Sequence, residues 1–365
     1  MKILVACLES SSNLHLKEIL SELVKRDKIE LCGIFSKDID EFLSAHNGCS
    51  AKASYESREF NTMGFVGVLP LIFKARRAIK ELTKLAKSVD AVLLIDSPAF
   101  NLPLAKALKG ANVRAKITYY ILPQVWAWKK GRVKAVEAYC DNIASIWPFE
   151  KDFYRGASFV GHPLLDEIKV EKNPNKSNKI VFMPGSRKQE ISYLMPIFRD
   201  LVPCLNEQKV LVIPEHLRGF ESEYYGDLGG FEISYDAISA LANADFAFIC
   251  SGTATLQAAI IGTPFVLCYK ARAFDMWLAR KLVKLKHAGL ANIIFDFLHL
   301  QPLHEELLQE ELNIDNLLKA YHSSNPSTFA AASKRLKSYL QTGSAVSVAN
   351  IIMPWKFNAF SSWGA

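Results

Sequence analysis

Two short turns in the second half of the chain carry residues suited to phosphate chemistry: Pro184-Gly185-Ser186-Arg187 and Ser251-Gly252-Thr253-Ala254-Thr255. Each follows an apolar run, residues 180–183 and 246–250, and each opens a helical pattern. A strand, a tight turn and a helix start aim free backbone N–H groups and a positive helix end at one point, which suits a diphosphate. Arg187 would add a bidentate clamp. A surface arginine and a plain helix cap account for the same residues. Neither turn is a Walker loop or a dinucleotide fingerprint, which weighs against an NTPase or a dehydrogenase.

The first half offers a carboxylate. Asp96 ends the apolar run 91–95 in Leu94-Ile95-Asp96-Ser97-Pro98. There it could take a proton from a hydroxyl group, or cap the helix that follows and steady the turn at Pro98. Glu9, Ser10, Ser12 and Asn13 follow the first apolar run and could orient an acceptor sugar or cap a helix starting at Leu14. Trp126 and Trp128 could stack on a sugar, with core packing the stronger reading. His162 closes the last strand of the first half, where it could meet a diphosphate or serve as a hinge. Asp38-Ile39-Asp40 matches a metal-binding DxD pattern by chance, and the seven scattered cysteines form no ligand spacing. No metal and no cofactor is expected.

These groups need a scaffold, and the pattern supplies one. Short apolar runs (3–7, 31–35, 91–95, 117–121, 143–146, then 180–183, 210–213, 231–234, 246–250, 265–268) alternate with amphipathic segments such as 14–24 and 71–86. That alternation predicts an α/β protein with two doubly wound, Rossmann-like parallel-sheet domains. We expect domains over 1–168 and 179–340, joined by a polar linker, with ligands at the carboxyl ends of the strands. Beyond about residue 303 the pattern reads as helical. A tail, 341–365, is expected to pack back on the first domain or to exchange with a second copy in a homodimer. The start reads as a first strand rather than a signal peptide.

Residues 63–73 form an apolar run, with Met63, Phe65, Val66, Val68, Leu69, Ile72 and Phe73, followed by Lys74, Arg76 and Arg77. It is too short to span a bilayer. An apolar insertion flanked by cations fits an anionic membrane surface or acyl chains. The net charge of +7 suits phosphate-bearing substrates, and no nucleic-acid-binding motif accompanies it.

Several stretches, in order, resemble the lipid A disaccharide synthases of glycosyltransferase family 19, inverting enzymes of the GT-B fold. They include Met63-Gly64, Asp96-Ser97-Pro98-Ala99-Phe100-Asn101, Val125-Trp126-Ala127-Trp128, Trp147-Pro148-Phe149-Glu150-Lys151-Asp152-Phe153-Tyr154, Gly161-His162-Pro163, Tyr269-Lys270, Trp277-Leu278-Ala279 and Glu306-Leu307-Leu308-Gln309, together with both phosphate turns. The resemblance implies transfer of 2,3-diacylglucosamine from its UDP derivative to the 6-hydroxyl of 2,3-diacylglucosamine 1-phosphate. It also implies that Ser186, Arg187, Glu190, Ser251, Gly252, Thr253, Ala254 and Asn292 hold UDP, and that Asp96 is the base. It places the protein in the cytoplasm, on the inner membrane. Gln257 departs from the family's glutamate, Ala291 from its proline, and Leu8-Glu9-Ser10-Ser11-Ser12-Asn13 from its first loop; Gln257 is retained as a UDP-binding candidate. Two alternatives stay open: another GT-B enzyme of UDP-GlcNAc, such as a peptidoglycan GlcNAc transferase or a 2-epimerase, and a non-catalytic lipid-binding protein.

Overall fold

The computed structural model describes residues 1–60, 68–272 and 285–354, with side chains for all of these except Ser10 and residues 68–70. The chain divides into two compact units, Met1–Asp166 with Leu340–Ala365, and Glu167–Tyr339.

Unit 1 is built on a seven-stranded sheet of order β3-β2-β1-β4-β5-β6-β7. The strands are β1 (Lys2–Cys7), β2 (Glu30–Phe35), β3 (Ser50–Glu56), β4 (Ala91–Ile95), β5 (Lys116–Tyr120), β6 (Asn142–Ser145) and β7 (Ala157–Phe159). All neighbours pair in parallel. β4 is buried along its whole length, as an apolar strand covered on both faces must be. Its helices include Ser10–Leu23, Val68–Leu85 and Pro98–Gly110. The helix Ser344–Ile352 rejoins this unit. The Tyr120 hydroxyl lies 2.7 Å from the Ser344 hydroxyl, and Arg26 donates to the Met353 carbonyl at 2.7 Å.

Unit 2 repeats the plan with six strands in the order β10-β9-β8-β11-β12-β13. These are β8 (Lys179–Met183), β9 (Gln208–Val212), β10 (Glu232–Ser234), β11 (Phe246–Cys250), β12 (Phe265–Tyr269) and β13 (Glu306–Leu308), again paired in parallel. A core of Phe182, Phe198, Phe246 and Phe248 fills one face, with ring centroids 5.1–6.2 Å apart.

Both predicted sheets are present, and three strands depart from expectation. β3 reads Ser-Ala-Lys-Ala-Ser-Tyr-Glu and is largely exposed, because it is the edge of its sheet and has no second face to bury. β7 is three residues long and ends the opposite edge. The expectation of unbroken helix after residue 303 is corrected: β13 pairs with β12 before the helices Ile314–Ser323 and Pro326–Leu340 begin. Strand order reverses between β1 and β4 in unit 1 and between β8 and β11 in unit 2. Loops diverge at such points and leave the strand ends open for ligands.

Candidate active site

In unit 1 the switch point holds Asp96. Its N–H donates to the Tyr120 carbonyl at 2.9 Å. Its own carbonyl accepts from the Asn101 amide at 2.8 Å and from the Tyr119 hydroxyl at 2.7 Å. These bonds hold Asp96 and Ser97 at φ +51 and +44, a left-handed geometry that non-glycine residues rarely adopt. Two such residues in succession persist only where the surroundings fix them, and they cluster at functional sites. The helix Pro98–Gly110 starts directly afterwards, so the carboxylate stands at a strand end beside a helix start. Burial pushes the Asp96 carboxyl up to about 6, and the nearby Glu9 charge pushes the same way. A hydrogen bond from the Ser97 backbone and the positive character of His15 oppose the rise. A carboxylate with that affinity for protons is suited to remove one near neutral pH.

The first loop is more structural than its composition suggests. Asn13 is buried, donates to the Glu9 carbonyl at 2.8 Å and to Ser57 Oγ at 3.0 Å, and accepts from the Ser36 N–H at 2.8 Å. It ties the ends of β1 and β2 together. Ser12 is buried, and among the described residues its hydroxyl has no hydrogen-bond partner. Glu9 is exposed, and Ser10 begins the helix Ser10–Leu23. Asn101, absent from the candidate set, is fully buried and bridges the Ala6, Ile95 and Asp96 carbonyls. Its position five residues after the carboxylate, on the following helix, was the signal for it.

In unit 2 the two turns sit on neighbouring strands. β8 and β11 pair with Met183 opposite Ile249, so Gly185-Ser186-Arg187 and Ser251-Gly252-Thr253 leave the sheet side by side. Gly185 has φ +97, and a Cβ there would stand 2.7 Å from Glu190 Oε2 and 3.3 Å from Cys250 Sγ. The turn therefore calls for glycine through its positive φ, and a Cβ there would displace the Glu190 carboxylate. Ser186 and Arg187 are exposed, and the Arg187 guanidinium rests 3.0 Å from Glu190 Oε1. Gly252 caps the helix Thr253–Ile261 with open space where a Cβ would point. Thr253 is exposed, Ala254 and Gln257 are half-buried, and no described residue hydrogen-bonds the Gln257 side chain.

Asn292 is engaged within its own unit. It is buried and its amide makes four internal bonds: to the His304 carbonyl and Glu306 Oε1, both at 2.9 Å, and from the Leu303 and His304 N–H groups at 2.8 and 3.3 Å. Glu306 in turn accepts from the Ala288 and Gly289 N–H groups at 2.8 and 3.0 Å. The Ala288 carbonyl accepts from the Ser251 hydroxyl at 3.3 Å. Asn292 thus braces the segment that touches the second turn. The sequence pointed to its amide but not to the partners that occupy it.

The remaining candidates separate. Trp126 is buried and donates to Glu150 Oε1 at 3.1 Å, whereas Trp128 is 39% exposed. His162 is buried, packs 4.6 Å from Trp147 and accepts the Leu164 N–H at 3.3 Å; burial holds it neutral, down at about 3. Asp38 and Asp40 lie in the first turn of the helix Lys37–Ser44, where they complement its dipole. Among the described residues no group of three or more His, Cys, Asp or Glu side chains is arranged to hold a metal. Met63, Phe65 and Val66 lie outside the described residues. Val68 and Leu69 begin the helix Val68–Leu85, on which Ile72, Phe73, Arg76 and Arg77 are exposed. No helix among the described residues is long and apolar enough to cross a membrane.

The whole length of this architecture has relatives. The sequence profile of the family described as Lipid-A-disaccharide synthetase matches residues 3–346. The chain belongs to this family. The lipid-A-disaccharide synthase of Campylobacter jejuni is 49% identical over 363 residues, covering 96% of this chain and 98% of the relative. That of Helicobacter pylori is 46% identical, covering 95% and 97%. Among solved structures, the Acinetobacter baumannii MurG aligns with a TM-score of 0.58 at 11% identity, over 96% of this chain and 98% of that one. The calicheamicin glycosyltransferase CalG4 aligns with a TM-score of 0.61 at 13% identity, over 99% of both. These distant likenesses speak to fold, and the two Rossmann-like sheets are those of the GT-B glycosyltransferases. Lipid-A-disaccharide synthase membership makes the chain a glycosyltransferase.

Proposed function

We propose that the protein condenses UDP-2,3-diacylglucosamine with 2,3-diacylglucosamine 1-phosphate to give the β-1,6 disaccharide 1-phosphate and UDP. The observation that carries this reading is Asp96: a family-matched carboxylate, desolvated and locked at the switch point of unit 1. It accepts the proton of the acceptor's 6-hydroxyl as that oxygen bonds to the donor's anomeric carbon. The bond from that carbon to the diphosphate breaks on the opposite face, with inversion, and UDP leaves with the electron pair. Arg187 and the N–H groups of the turns at 185–187 and 252–254 take up the developing charge, where fixed donors are worth more than water. Glu190 holds Arg187 in place, and Asn292 holds the segment behind Ser251.

The acylated substrates call for a lipid surface. Ile72 and Phe73 are 42% and 66% exposed beside Lys74, Arg76 and Arg77, a mixture suited to the interface of an anionic inner membrane. Retention of the helix Ser344–Ile352 by its own chain gives a monomer, its exchange a homodimer, and light scattering separates the two. The test of the reaction is incubation of purified protein with both acylated substrates and analysis of products by mass. A disaccharide phosphate with stoichiometric UDP supports the assignment. Turnover of plain UDP-GlcNAc without turnover of the acylated donor defeats it.

A further inference from the structure

The loop after β5 carries charge that the reaction above does not use. Lys129 and Lys130 are exposed and Arg132 is half-buried. The Lys129 ammonium lies 4.3 Å and the Arg132 guanidinium 5.1 Å from the centre of the exposed Trp128 ring. Among the described residues none of these three cations pairs with a carboxylate. The helix Val68–Leu85 differs: there Lys74 pairs with Glu59 at 2.7 Å and Arg77 with Glu81 at 2.9 Å. Lys129 and Arg132, unpaired and gathered on one aromatic ring with Lys130 adjacent in the chain, are poised for an anion.

The loop is also fixed. Trp126 donates to buried Glu150 at 3.1 Å, the Tyr154 hydroxyl donates to the Pro123 carbonyl at 2.6 Å, and the Trp128 N–H donates to the Gln124 carbonyl at 3.2 Å. Lys129 is held at φ +50, a conformation that such bracing makes tolerable. It stands on the Asp96 edge of the sheet. β5 pairs with β4, Ile95 opposite Tyr120, and Arg132 is within electrostatic reach of Tyr119, whose hydroxyl donates to the Asp96 carbonyl.

We propose that Lys129 and Arg132, oriented by Trp128, form with the neighbouring Lys130 the subsite for the phosphomonoester of the glycosyl acceptor. This rests on the reaction proposed above and adds what distinguishes acceptor from donor: an isolated phosphate dianion on the sugar that presents the hydroxyl. An anionic lipid headgroup offers the same chemistry, so the experiment separates the two sources.

The test compares wild type with a Lys129→Ala/Lys130→Ala/Arg132→Ala variant and with the exposed single change Lys130→Glu. Short-chain, soluble acceptors are used with and without the 1-phosphate. We expect KM for the phosphorylated acceptor to rise roughly 10- to 100-fold in the triple variant, as loss of charge-assisted bonds implies. The phosphate-free acceptor and the donor KM should change less than about twofold, a scale well inside one weak contact. Trp128→Phe should retain the phosphate preference that Trp128→Ala weakens. Equal losses on both acceptors, or none, overturn the proposal. So does an unchanged acceptor KM with lost binding to vesicles containing phosphatidic acid, which assigns the cations to the membrane. Calorimetric titration of the phosphorylated acceptor without donor decides the subsite even if wild type fails to transfer: equal affinity in wild type and variant rejects it.

Discussion

The two switch points use the same strand geometry and opposite local solutions. At β8 and β11 the positive-φ positions are glycines, and Ser186, Arg187 and Thr253 beside them are exposed. At β4 the left-handed positions are Asp96 and Ser97, and side chains from β5 and the next helix clamp the backbone. A diphosphate needs room and many donors, which glycine provides cheaply. A proton acceptor needs one carboxylate in a low-dielectric setting, and only a braced backbone holds a side chain there. On the mechanism proposed above, charge stabilisation falls to the open turns and proton transfer to the strained one.

Asp96→Asn gives the largest expected break in that comparison. It keeps the shape and removes the base, so turnover should fall about 100-fold or more with the thermal transition intact. A folded, active variant would take Asp96 out of the mechanism. Arg187→Ala should come next, raising the donor KM roughly 10- to 100-fold by loss of a charge-assisted clamp. Steady-state kinetics would reject that role if kcat fell while donor KM stayed constant.

The pH profile sharpens the unit 1 side. Because the Asp96 carboxyl is raised to about 6, kcat/KM should fall as pH drops through that value, where the base takes up a proton. A flat profile between pH 5 and about 7 would contradict a base with this affinity. Glu150 supplies a smaller effect on stability. Burial pushes it up to about 8 against the hydrogen bonds from Ser145 and Trp126. The folded state then holds a proton that the unfolded chain releases above its ordinary carboxylate range. Stability from this group is full at acid pH and is lost as pH rises toward 8, at ~1.4 kcal/mol per pH unit at most. In Glu150→Gln that slope should disappear from thermal melts; an unchanged slope would mean that Glu150 is ionised in the fold.

Both sheets were legible because their central strands are uninterrupted apolar runs bounded by turns. The strand-end positions of Asp96 and of the turns after β8 and β11 were legible because each follows such a run. β3 escaped because an edge strand carries no two-faced burial, and β13 because three residues between loop and helix show no period. Asn292 was legible only through the resemblance, and its internal partners were not legible at all. Its partners Leu303, His304 and Glu306 lie 11 to 14 residues away, and only the fold brings them to its amide. The left-handed backbone at Asp96 had no signal either, since neither Asp96 nor Ser97 is a glycine and the bracing comes from Tyr119 and Tyr120 on another strand.

Calorimetric titration of UDP into wild type and Asp96→Asn tests the division of labour most directly. If the open turns hold the nucleotide and the clamped carboxylate acts on the acceptor's proton, the variant binds UDP with the same Kd while its turnover collapses. Loss of UDP affinity in step with turnover, in a variant that still melts cooperatively, would contradict it.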